Sequence, residues 1–179
     1  MRKRLLGPCQ ADLLLSLNED RMPESQIEFE VEAPIDAVWS VLTNPRMHTH
    51  CIPGLLACEV TGPNTTLWIM EFRIGPLIKK VEMHSTTVKE DPPNYGKWVG
   101  KANGIQMSGE VELRETASSS TLIFYKLKLV PKSLFLLSMK PYIKERLEHD
   151  VRLYAENLKY QVEKNLDQEV LDFDKKSQC

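Results

Sequence analysis

The sequence predicts an α+β protein in which a seven-stranded curved antiparallel sheet wraps around one long C-terminal helix, with two short helices after the first strand. Three observations carry this expectation. Apolar and polar residues alternate through most of the stretch from Gln26 to Pro131, the period of strands with one wet face. A proline-bounded helical stretch, Pro34 to Pro53, interrupts that pattern once. Beyond Pro131 the apolar spacing lengthens to that of an amphipathic helix.

The opening strand alternates Ile27, Phe29 and Val31 with Glu28, Glu30 and Glu32. Pro34 then starts a helix where its missing N–H costs nothing, Ile35, Val38, Trp39 and Leu42 share one face, and Asn44-Pro45 stops it. The segment PRMHTHCIP makes one or two further turns before Pro53-Gly54 reverses the chain. Six strands follow from Leu55, separated by turn signals at Gly62-Pro63-Asn64, Gly75-Pro76, Asp91-Pro92-Pro93-Asn94, Asn103-Gly104 and Thr116 to Ser120. Within them Trp68, Met70, Phe72 and Ile74 share one parity, as do Ile105, Met107, Gly109, Val111 and Leu113, and again Ile123, Tyr125, Leu127 and Leu129.

Ile143, Leu147, Val151, Tyr154, Leu158 and Val162 recur every three or four residues. They make the stripe of a helix that starts near Pro141 and runs about 25 residues. Its wet face offers i,i+4 pairs at Glu145–His149, Glu148–Arg152 and Arg152–Glu156. A twisted sheet whose apolar face is wider than one helix stripe closes around that helix with space left over, so an internal cavity is expected.

A chain of 179 residues fits one domain. We divide it into an N-terminal extension over 1–25, expected to be flexible, a folded domain over 26–166 and a charged tail over 167–179 that frays. Met22 is an alternative first residue. The basic, Leu-rich start is broken by Asp12 and followed by no small-residue cleavage site, unlike a secretory signal. Lys and Arg total 23 against 25 Asp and Glu, which gives no electrostatic reason for nucleic acid as a partner. Cys9, Cys51, Cys58 and Cys179 contain no C-x-x-C pair, so reduced thiols and a cytoplasmic protein are expected, with no metal. No apolar stretch approaches the roughly 18 residues of a bilayer span.

The segment HTHCIPG, His48 to Gly54, invites a metal or nucleophile reading. A zinc site needs a third and fourth ligand, and the remaining histidines, His84 and His149, fall among charged residues on wet faces. Cys51 as a nucleophile needs an oriented base, and no orienting group is visible. A chain reversal at Pro53-Gly54, with Cys51 and Ile52 as apolar plugs, accounts for the segment more simply.

The phrases EVEAPIDAVWSVLTNP, CIPG, IGPL and DPPN, with the late helix, resemble the START-like helix-grip superfamily (SRPBCC) and, within it, the family of the carbon monoxide dehydrogenase G-subunit. The resemblance spans Ile27 to Val162. KANGIQMSGE carries only Gly104 and Gly109 where that family tends to have a glycine-rich stretch. The superfamily implies an internal pocket for a small apolar or amphipathic molecule. The nearer relatives imply a link to molybdenum-containing dehydrogenases, and to the membrane or its quinones.

The expected pocket lining is Trp68, Met70, Phe72, Met83, Trp98, Met107 and Tyr125 from the sheet, with Ile143, Leu147 and Val151 from the long helix. Aromatic and thioether side chains suit a variable apolar guest, and Tyr125 brings a hydroxyl that needs a partner when buried. The carboxylates Glu28, Glu30, Glu32, Glu110 and Glu112 lie on wet parities, so no catalytic residue is assigned. The apolar run SLFLLSM, Ser133 to Met139, is placed as a short helix packing on the domain, as a lid at the pocket entrance or as a membrane-touching segment.

The function expected is binding or delivery of a small hydrophobic ligand, lipid- or quinone-like, without a cofactor. A membrane surface or an oxidoreductase would be the recipient, with at most peripheral membrane association. Two alternatives stand beside it. One is a cyclase or hydratase on an aromatic or polyketide substrate, using Tyr125 with His84 or Arg73. The other is an adaptor for oxidoreductase assembly.

Overall fold

A computed structural model describes residues 22–177 except 75 and 118. Most of the N-terminal extension, through residue 21, and the last two residues of the tail therefore lie outside the described residues. Strand β1 (Glu24–Val31) leads into helices α1 (Ile35–Thr43) and α2 (Pro45–Cys51). Six strands follow: β2 (Leu55–Gly62), β3 (Thr65–Ile74), β4 (Leu77–Asp91), β5 (Tyr95–Ala102), β6 (Ile105–Ala117) and β7 (Ser120–Pro131). Helices α3 (Leu134–Ser138) and α4 (Lys140–Ser177) come last.

All seven strands form one antiparallel sheet in the order β1-β7-β6-β5-β4-β3-β2. Consecutive strands pair as hairpins, and β1 returns beside β7, with Ile27 opposite Tyr125 and Phe29 opposite Ile123. Register shifts in β2–β3, β4–β5 and β6–β7 add the local twist that bends the sheet. The α+β helix-grip layout expected from the sequence is the layout observed.

Helix α4 lays its stripe across the concave face. Ile143, Leu147, Val151, Tyr154, Leu158 and Val162 are all buried there. At 38 residues it outruns the expected helix. Leu166 extends the apolar stripe past Val162, and Lys159–Glu163 is one of the ion pairs supporting the polar turns. Lys144–Glu148 and Arg146–Asp150 are further i,i+4 ion pairs, not those the sequence suggested. Arg152 instead donates from Nε to the Glu148 carbonyl one turn back, at 3.1 Å.

The two short helices cover the part of the sheet that α4 leaves open. Asn44 caps α2 by accepting from the Arg46 N–H at 3.0 Å, with Pro45 in the first turn. The reversal after α2 turns on Gly54 at φ +75°, whose carbonyl accepts from the Glu71 N–H at 2.7 Å. A Cβ there would sit 2.6 Å from the Glu71 carbonyl oxygen, so only glycine fits both the angle and the approach. Buried Thr121 on β7 donates to the Ala33 carbonyl at 2.7 Å and fixes the entry to α1.

Candidate functional site: a divided cavity under the long helix

The hollow follows from small side chains on inward positions. Near the β2–β3 turn, Gly62, Thr66, Ser85, Thr87 and Gly96 line the concave face, too short to reach the helices above them. A cavity of about 280 Å³ remains. Trp39 and Leu42 of α1, His48 and Cys51 of α2 and Leu158 of α4 roof it. Exposed Pro63, Asn64 and Glu90 line its outer end, so it opens beside the β2–β3 turn.

A second, smaller cavity of about 40 Å³ lies toward the other end of the sheet, bordered by Phe72, Met107, Ile143 and Arg146. Ile52, Trp68, Trp98, Tyr125 and Tyr154 line both spaces and so form the partition. The Trp68 and Trp98 rings meet at 4.8 Å between centroids, tilted by 58°. Tyr125 of β7 stacks on Tyr154 of α4 at 4.2 Å, locking helix to sheet at the same level.

Of the residues expected to line a pocket, Trp68, Trp98 and Tyr125 border the larger cavity. Met70, Phe72, Met107, Ile143 and Leu147 border the smaller one. Met83 and Val151 border neither. Met83 is wholly buried because Gly100 leaves room for its sulfur, which a Cβ at that glycine would meet at 2.5 Å. Val151 is spent on the helix–sheet contact. Sequence reasoning missed Trp39, His48, Ser85, Tyr154 and Leu158 as wall residues; Tyr154 and Leu158 were legible as inward, but not as facing empty space.

His48 is the best-placed polar group of HTHCIPG. Its Nε2 lies 3.0 Å from the Leu42 carbonyl, which requires Nε2–H as donor and leaves Nδ1 as the acceptor, 3.8 Å from Cys58 Sγ. Burial lowers the imidazole pKa, with the Leu42 bond opposing. Burial raises the Cys58 thiol, with the nearby Trp68 indole opposing. Both groups are thereby held neutral, so the pair is a hydrogen-bonded wall and no thiolate is generated. The Trp68 N–H is buried and makes no well-aligned hydrogen bond among the described residues. Cys51 is buried, its thiol pushed up to about 12 by desolvation, as suits an apolar filler. Among the described residues no group of three or more His, Cys, Asp or Glu is placed to hold a metal.

The smaller cavity carries a half-buried carboxylate, Asp150, and a buried tyrosine, Tyr125. Arg146 Nε donates to Asp150 Oδ2 at 3.0 Å. Its Nη2 lies 2.8 Å from Oδ1, out of line for a hydrogen bond. Burial raises the Asp150 pKa, against the pull of Arg146. Desolvation and the Asp150 charge raise Tyr125. The acid–base set suggested by the sequence does not assemble: His84 is exposed, and Arg73 is exposed and paired with Glu71 at 2.8 Å. A strand's inward parity brought Tyr125 in and left His84 out.

Helix α3 is the short packed helix expected of SLFLLSM and not the lid. Ser133 caps it, Leu136 packs on the core and Phe135 is 60% exposed. Among the described residues, no part of SLFLLSM borders either cavity. It sits beside the β5–β6 turn at Gly104, at the end of the sheet opposite the opening. No helix among the described residues is long and apolar enough to cross a membrane.

The profile of the family of the carbon monoxide dehydrogenase G-subunit (CoxG) matches residues 28–168. No curated protein sequence matches significantly. Among solved structures, a conserved protein from Geobacillus kaustophilus aligns with TM-score 0.69 and 15% identity, covering 79% of this chain and 95% of its own. A START superfamily protein from Mycobacterium smegmatis aligns with TM-score 0.67 and 13% identity over 79% and 97%. The Zhui aromatase/cyclase from Streptomyces sp. R1128 gives TM-score 0.65 and 15% identity over 81% and 96%. At these identities the likeness is one of fold.

Proposed function

The chain belongs to the family of the carbon monoxide dehydrogenase G-subunit, and from that premise we propose that it binds a small hydrophobic molecule, lipid- or quinone-like, in the larger cavity and delivers it to another site. The single observation that carries this reading is the roughly 280 Å³ hollow walled by Trp39, Trp68, Trp98, Tyr125 and Tyr154 and open beside the β2–β3 turn. Its size is near the lower end of small-molecule sites, about 300–1,000 Å³. A guest losing about 200 Å² of apolar surface, the area of one large aromatic side chain, gains about 5 kcal/mol before association costs.

A hollow walled largely by aromatic and apolar side chains suits carriage. Family membership supports an oxidoreductase of the carbon monoxide dehydrogenase kind as recipient, with a membrane surface as the other end of the route. The test is native mass spectrometry of freshly purified protein, with solvent extraction of whatever it holds. A reproducible apolar adduct supports carriage. Protein that is always empty, and that takes up no apolar compound offered to it, rejects it.

A second reading is an enzyme of cyclase or hydratase type, favoured by Asp150 beside Tyr125 at the inner cavity and by the fold shared with the Zhui aromatase/cyclase. Turnover of an aromatic polyketide, lost in Asp150→Asn, would establish it. Binding without turnover leaves carriage.

A further inference from the structure

The large side chains of the cavity explain its walls, but one of its small polar ones, Ser85, is buried deeper than the threonines beside it. Ser85 on β4 is 4% exposed and borders the larger cavity. It shares the inward parity of wholly buried Met83 and stands directly across the β3–β4 ladder from Thr66, which also borders the cavity. Among the described residues the Ser85 hydroxyl has no protein hydrogen-bond partner, nor is its oxygen sealed off by packing. Its open side is the cavity.

The hydroxyl finds its hydrogen bond on the cavity side, and a guest bringing its own polar oxygen takes that place. The volume restricts the guest further: about 280 Å³ is near the lower end of small-molecule sites, about 300–1,000 Å³, which suits a compact ring compound better than a two-chain lipid. Trp39, Trp68 and Trp98 border the same cavity, which suits flat rings.

Resting on the reading of this cavity as a ligand site, we infer that Ser85 is its specificity-determining polar contact, selecting a compact ring compound whose hydroxyl or carbonyl oxygen hydrogen-bonds the serine hydroxyl across from Thr66. The serine fixes which edge of the guest points toward the β2–β3 opening. It separates ring alcohols and ketones from hydrocarbons of equal shape.

The test uses the full chain and two probes of nearly equal shape, 2-naphthol and 2-methylnaphthalene, with affinities measured by equilibrium dialysis for wild type and Ser85→Ala. The expected result is that the substitution weakens 2-naphthol about tenfold and leaves 2-methylnaphthalene within about twofold, with an unchanged melting curve. An equal change for both probes, or none for either, overturns the role of Ser85 while leaving the ligand site standing. Binding of neither probe to the wild type overturns the ligand site and this inference with it. Should Ser85→Ala not fold, Ser85→Cys keeps the volume with a much weaker hydrogen-bonding group and is read for the same discrimination.

Discussion

Gly109 on β6 lies directly beneath the Trp98 indole: a Cβ there would come within 2.3 Å of Nε1. The glycine therefore sets how deep the indole sits, and through it the partition between the two cavities. Gly109→Ala must drive Trp98 upward into the free space. We expect a stability loss of about 1–3 kcal/mol and a clear loss of affinity for any probe held in the larger cavity. Denaturant melts and dialysis of one probe check both. Unaltered affinity would mean that Trp98 does not bound the guest site.

Gly54→Ala tests the reversal after α2. Positive φ and the 2.6 Å approach to the Glu71 carbonyl both oppose a side chain, and the expected destabilisation is about 1–3 kcal/mol or more. Equilibrium urea unfolding reads it directly.

Thr121→Val removes a hydroxyl that is wholly buried and satisfies the Ala33 carbonyl. The carbonyl is then stranded, at a cost of about 1–3 kcal/mol, although valine matches the shape. A loss below a few tenths of a kcal/mol would show that water reaches that carbonyl.

Acid should weaken the fold through His48. Burial holds its folded pKa below its unfolded value of about 6.5, so below that pH the unfolded chain binds more protons than the folded one. Stability then falls as pH drops through 6.5 toward the folded pKa. Asp150 is raised by burial and works in the opposite sense at lower pH. The wild-type melting temperature should therefore drop more between pH 7 and pH 5.5 than that of His48→Gln. Parallel profiles for the two proteins would place the titration elsewhere.

The fold was legible because its signals are periodic and local. The alternation Ile105 to Leu113 and the stripe Ile143 to Val162 each name a buried face without reference to partners. The hollow was only half legible. Trp68, Trp98 and Tyr125 announce themselves as large inward groups, but a cavity depends equally on where bulk is missing. Thr66 and Ser85 stand opposite each other only through the strand register, which no single strand encodes. For the same reason Met83 looked like wall: its burial depends on Gly100, on the neighbouring strand. His48 was singled out in the sequence, yet its partners Leu42 and Cys58 come from a preceding helix and an edge strand.

The account depends on an unfilled apolar space between helix α4 and the sheet, and a crystal structure under xenon pressure tests it most directly. The account predicts xenon in the larger cavity, in contact with Trp68, Trp98 and Leu158. Crystals that take up xenon elsewhere while side chains fill that space would contradict it.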